Sequence, residues 1–252
     1  MKLATFLSVS MLATCSAFAA STATSENVIG VLRVDSPYAR TIVAVPWVAA
    51  GVEAGDIKVT DIVKTANLSE GDELHYYNGA NFNSWRLNGN KEWVPANQVS
   101  ENGGSGTSPD SAVQGLPRGG ALILVRKEPA NPIFLQGQYS SAPMSAQTLA
   151  SGGTKMSPVY SLIAPPSTTG KDFDLMSGTW SNVGAYDQII IQQAGGKNIV
   201  CQWSDSAWKV GEWTGEVPFK TFSLTAAPSI PAGTGCWYVS RTAGGPAPTV
   251  QW

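Results

Sequence analysis

Short runs that mix apolar and polar residues begin at "NVIGVLRV" (27–34) and "RTIVAVPWV" (40–48) and recur to the end of the chain. "DELHYY" is rich in residues that suit a pleated, half-buried surface. Asn78-Gly79 supplies the positive φ angles of a hairpin turn, and "NFNSWRL" returns from it. Asn88-Gly89 marks a second turn before "KEWVPA", and a closing strand "ALILVR" follows a Pro/Gly turn. The plan then repeats as "QIIIQQ", Ala194-Gly195-Gly196, "NIVCQW" and "CWYVSR". "PIFLQGQY" and "VYSLIAP" open the second series, as "NVIGVLRV" and "RTIVAVPWV" open the first.

The two series keep one register. Asp72 in "GDELHYYNG" lies 115 residues before Asp187 in "YDQIIIQQAGG". The same spacing relates Trp93 to Trp208, Gly120 to Gly235 and Arg126 to Arg241, while "TIVAVP" and "YSLIAP" stand 119 apart. The expected fold is all-β: two tandem, structurally similar antiparallel domains, each a β-sandwich or barrel, from an internal duplication. The expected boundaries are a signal peptide 1–19, a disordered segment 20–27, β-domain 1 at 28–128 and a linker 129–132 within the proline-bearing "KEPANP". β-domain 2 covers 133–245 and a C-terminal tail 246–252. "SENGGSGTSPDS" (100–111) reads as a loop by composition.

Export follows from the first residues. Lys2 precedes an apolar stretch from Leu3 to Phe18, and Ala17-Phe18-Ala19 gives the small-x-small pattern of a cleavage site. Leu12-Ala13-Thr14-Cys15 is a weaker lipobox-like alternative. No later run has the length of a membrane-spanning helix. Periplasmic, cell-surface or extracellular residence is expected. With charged residues at 13%, the outer faces of a helical bundle could not be clothed. A net charge of −2 gives no field for nucleic acid.

Cleavage removes Cys15 and leaves Cys201 and Cys236, a candidate disulfide in an oxidising compartment. At the offset of 115 they align with Arg86 and Ala121, so one unit carries both and the other neither.

This layout resembles uncharacterised exported β-repeat proteins of verrucomicrobial and planctomycete type. They share a "TIVAVPW"-like strand after the signal, "GDELHYYNG…F…W…W", and a "LPRGGALILVR"-like ending. The resemblance implies an exported β-repeat protein and carries over no catalytic residue.

The duplication sorts the tryptophans. Trp93 and Trp208 share a position in both units and are expected in the core, as is Trp237, aligned with Leu122. Trp85 and Trp203 sit on equivalent strands. Trp213 aligns with polar Gln98 and, with Glu212, Glu216 and Asp205, forms the candidate ligand-binding cluster. Trp47, Trp180 and Trp252 also lack an aromatic counterpart.

Catalytic and metal sets are sparse. His75 is the only histidine, and its counterpart Ile190 is apolar, which favours packing over base catalysis. No G-x-S-x-G elbow, zinc ligand set or phosphate loop is present. Asp172 and Asp174 offer only a weak calcium pattern. No catalytic residue, metal or cofactor is expected. The reading is an exported, non-enzymatic envelope or extracellular protein, structural, adhesive or carbohydrate-binding, with polysaccharide or other envelope proteins as partners. The alternative is a secreted glycosidase-like hydrolase using a carboxylate pair.

Overall fold

A computed structural model describes residues 29–36, 38–45, 62–77, 79–96, 119–138, 146–165, 171–192, 198–212, 220–222 and 229–252. The expected signal peptide, the 20–27 segment and the expected loop at 100–111 lie outside them. The chain is all-β, in several antiparallel sheets. Among the described residues none closes on itself, so no barrel is formed by them.

One sheet contains β2 (Arg40–Ala44), β3 (Glu73–Tyr77), β4 (Phe82–Leu87), β5 (Trp93–Pro95) and β6 (Ala121–Val125), in the order β2-β6-β3-β4-β5. The other contains β9 (Val159–Ile163), β12 (Gln188–Gln192), β13 (Asn198–Ser204), β14 (Ala207–Glu212), β15 (Lys220–Phe222) and β17 (Cys236–Ser240). Its order is β9-β17-β12-β13-β14-β15. Smaller pairings are β1 (Ile29–Val34) with β7 (Ile133–Gln138), and β10 (Phe173–Asp174) with β16 (Ser229–Ile230). β18 (Thr249–Gln251) lies between β8 (Gln147–Thr148) and β11 (Thr179–Ser181).

Strand alternation sends one set of side chains into each core. Leu74, Trp85, Leu87, Trp93, Leu122 and Leu124 face inward from the first sheet, covered by Leu32, Val34, Ile133 and Leu135 of β1 and β7. Ile163, Ile189, Ile191, Trp208 and Tyr238 line the second core together with Leu175 and Val250. β6 is apolar along its whole length because both of its faces are covered. Ala121 and Ile123, on its other face, meet Ile42, Ala44 and Ala164 in a third cluster that joins the two sheets.

The joint is reciprocal. Ala44 N–H donates to Gly233 O at 2.9 Å, and Ala164 N–H donates to Gly119 O at 2.9 Å. Isolated bridges join Val43 to Thr234 and Gly120 to Ile163. Each half thus offers the same pair of elements and receives the other's, as in an isologous contact. Across the joint, a Cβ on Gly235 would sit 2.9 Å from Ile42 Cγ2 and 3.0 Å from Ala121 Cβ.

The two large sheets share a pattern of strand pairing. Val43 pairs Leu122 as Ile163 pairs Cys236, and Leu74 pairs Trp85 as Ile189 pairs Cys201. Leu87 pairs Trp93 as Trp203 pairs Trp208. The spacing between matching pairs runs from 120 residues at β2/β9 to 114 at β6/β17, against the 119 and 115 expected from the sequence. Cys201 stands where Trp85 does, Cys236 where Leu122 does, and Trp237 where Ile123 does. A one-residue slip turns a side chain to the other face, which is why Trp237 leaves the core.

Two expected boundaries also move. β7 falls after the 129–132 linker yet pairs with β1 along its full length, and Ile133 and Leu135 join the first core. The expected tail contributes β18, with Val250 fully buried, so residues 249–251 belong to the second half.

Candidate ligand surface at the joint

On the face opposite the first core, β2, β6, β3 and β4 form cross-strand rows, with Ile42 and Ile123 buried at the joint. Arg40, Val125, Glu73 and Arg86 make the first row, and Ile42, Ile123, His75 and Ser84 the second. Tyr77 opposite Phe82 extends the surface further along the hairpin.

The polar rows are internally bonded. Arg86 donates to Glu73 Oε1 from Nη2 at 2.7 Å and from Nε at 3.1 Å. Glu73 Oε2 lies 3.4 Å from His75 Nε2, and His75 Nδ1 shares a hydrogen bond of 2.6 Å with Ser84 Oγ. Burial holds the His75 imidazole below its ordinary pKa; Glu73 opposes this and Arg40 reinforces it.

The aromatic end draws on both sheets. Trp237 of β17 stands edge-on to Tyr77 at 5.6 Å, to Phe82 at 6.3 Å and to Tyr160 of β9 at 6.0 Å. Tyr77 and Phe82 are 4.9 Å apart. These distances suit edge and tilted ring pairs. Phe82 remains 48% exposed and Tyr160 37%, so the cluster presents open rings to solvent. Open rings beside a few placed polar groups are the usual chemistry of a ligand surface.

Glu73, His75 and Ser84 stand in line, His75 bonded to Ser84 and 3.4 Å from Glu73, which raises acyl transfer as a use for them. The setting opposes it. Ser84 lies within a regular strand, whose N–H groups point along the sheet plane and not outward over the face. An oxyanion above Ser84 would meet no donor from that strand. Glu73 is also shared with Arg86. The chain is a polar ladder stabilising the hairpin face.

The sequence-predicted residues fall elsewhere. Trp93 and Trp208 are both buried, and neither Nε1 has a hydrogen-bond partner among the described residues. Trp237 is half-buried in the ring cluster, not in either core. Of the proposed ligand cluster, Trp213, Glu216 and the Glu212 side chain lie outside the described residues. Asp205 is exposed and paired with Lys209. Asp174 caps Met176 N–H in a local turn, and Asp172 accepts from Ala232 N–H, tying together distant parts of the chain. Trp180 and Trp252 pack edge-on at 5.3 Å against the second core.

Cys201 and Cys236 are free buried thiols, and the expected disulfide is not formed. Cys201 opposes Ile189 on one side of β12, and Cys236 opposes Ile191 on the other. Strands two apart are separated by about 10 Å. That exceeds the roughly 7 Å a disulfide tolerates between Cα atoms.

Sequence reasoning missed Tyr77, Phe82 and Tyr160. The available signal was Tyr77 and Phe82 flanking the Asn-Gly turn; nothing local brings Tyr160 to them. Compared with known proteins, the chain matches no family model, no curated protein and no solved structure.

Proposed function

We propose that this chain is an exported, non-enzymatic protein of the cell envelope or extracellular space, and that the outer face of its first sheet binds carbohydrate. The half-open ring cluster of Tyr77, Phe82, Tyr160 and Trp237 carries the reading. Its rings can stack on the apolar faces of sugars while His75, Ser84, Glu73 and Arg86 meet the hydroxyls. Lys2, the apolar stretch after it and Ala17-Phe18-Ala19 support export.

The two halves are copies of one ancestral unit. Their common strand order and their reciprocal joint support this. It gives the ring cluster its meaning. Tyr160 stands where the first half has Arg40, and Trp237 where it has Ile123. These rings are additions to the shared scaffold.

A glycan array probed with wild type, Phe82→Ala and Trp237→Ala tests the reading. Retention of one glycan class by wild type, reduced by both substitutions, is expected. Binding to no glycan, or binding that both variants retain, overturns it.

A further inference from the structure

We infer, resting on the carbohydrate reading above, that the ligand is an anionic polysaccharide whose carboxylate or sulfate groups are held by Arg86 and Arg40. The first row of this face carries two guanidinium groups and one carboxylate. Glu73 is already engaged by Arg86 and faces His75. Arg40 is exposed and has no ion-pair partner among the described residues. The face therefore carries a net positive charge although the whole chain is at −2. A guanidinium presents paired donors that match a carboxylate or sulfate.

Spacing makes one ligand reach both ends. Glu73 and Tyr77 are four residues apart on β3, about 13 Å along the strand. An extended sugar chain stacked on Tyr77 and Phe82 passes over His75 and Ser84 and arrives at the arginines. At the corresponding positions of the second sheet Tyr160, Gln188, Ile190 and Gln202 replace Arg40, Glu73, His75 and Arg86, Lys209 stands opposite Gln202, and Gln188 accepts from Arg241.

The test is a tryptophan-fluorescence titration of the exported chain with dextran, dextran sulfate and polygalacturonate. Dextran and its sulfate share a backbone, and polygalacturonate separates carboxylate from sulfate recognition. Wild type is expected to bind at least one charged polymer tenfold or more tighter than dextran, and less tightly as salt rises. Arg86→Gln and Arg40→Gln are each expected to weaken that binding by roughly threefold to tenfold. Arg33→Gln, on β1 away from this face, leaves it unchanged. Dextran binding as tightly as the charged polymers overturns the inference and leaves the carbohydrate reading standing. Charged-polymer binding indifferent to Arg86→Gln and Arg40→Gln also overturns it. Silence with all three polymers overturns both.

Discussion

Asp72 and Asp187 are buried carboxylates that tie equivalent parts of the two halves together. Asp72 accepts from Ser69 N–H just before β3 and from Lys127 N–H just after β6. Asp187 accepts from Gly184 N–H before β12, and from Arg241 and Thr242 N–H after β17. Each carboxylate spares two buried turns the cost of unpaired amides. Asp187 also accepts from Tyr238 O–H, a bond the first half lacks, because Leu124 stands at that position.

Replacing either aspartate orphans those donors. Asp187→Ala is expected to cost about 3–5 kcal/mol and Asp72→Ala about 2–3 kcal/mol. Urea unfolding measures both. Equal losses, or losses below 1 kcal/mol, would contradict the assignment of these carboxylates as structural clamps.

Scaffold and ligand rings should separate in mutagenesis. Trp93→Ala and Trp208→Ala each empty a buried site and are expected to cost about 3–5 kcal/mol. Trp237→Ala removes a half-exposed ring at the joint and should cost less than about 2 kcal/mol. Thermal unfolding of the three variants reads the difference. A Trp237→Ala loss as large as the other two would make that ring a core residue after all.

Much of this was legible in the sequence. Asp72 and Asp187 stand out by their shared spacing to Trp93 and Trp208, and both of those tryptophans are buried. The turn between β13 and β14 was not legible there. Asp205 and Ser206 both take positive φ, at 51° and 60°, without the Asn-Gly that signals such a hairpin. Single-residue slips in spacing were also invisible, and one of them sends Trp237 to the opposite face. The ring cluster escaped for a different reason: it joins strands of both sheets, and only the folded joint brings Trp237, with Tyr160 beside it on the same sheet, to Tyr77 and Phe82.

The thiols should behave as core residues. Burial pushes the Cys201 thiol up to about 12, and burial raises Cys236 as well, with Cys201 nearby adding to it. The reactive thiolate is then scarce at neutral pH. Iodoacetamide is expected to label neither cysteine in the native exported chain and both in denaturant without reductant. A need for reductant would show that the two are bonded.

His75 should mark an acid limit. Burial depresses its folded pKa from 6.5, with Arg40 adding to the effect and Glu73 opposing it. Below 6.5 the unfolded chain therefore binds more protons than the folded one. The contribution is fully present above that value and is lost as pH falls through the folded pKa. Unfolding followed between pH 7 and 5 should show this decline. His75→Gln should flatten it, and an unchanged slope would place its origin elsewhere.

Hydrogen exchange on the protein, with and without a saturating concentration of whichever of dextran sulfate and polygalacturonate binds more tightly, locates the ligand most directly. Slowed exchange in β3 and β4, at residues 73–77 and 82–87, with β12 and β13 unchanged, is the result expected if the ring-and-arginine face is the binding surface. Protection confined to β12 and β13, or protection nowhere, would contradict it.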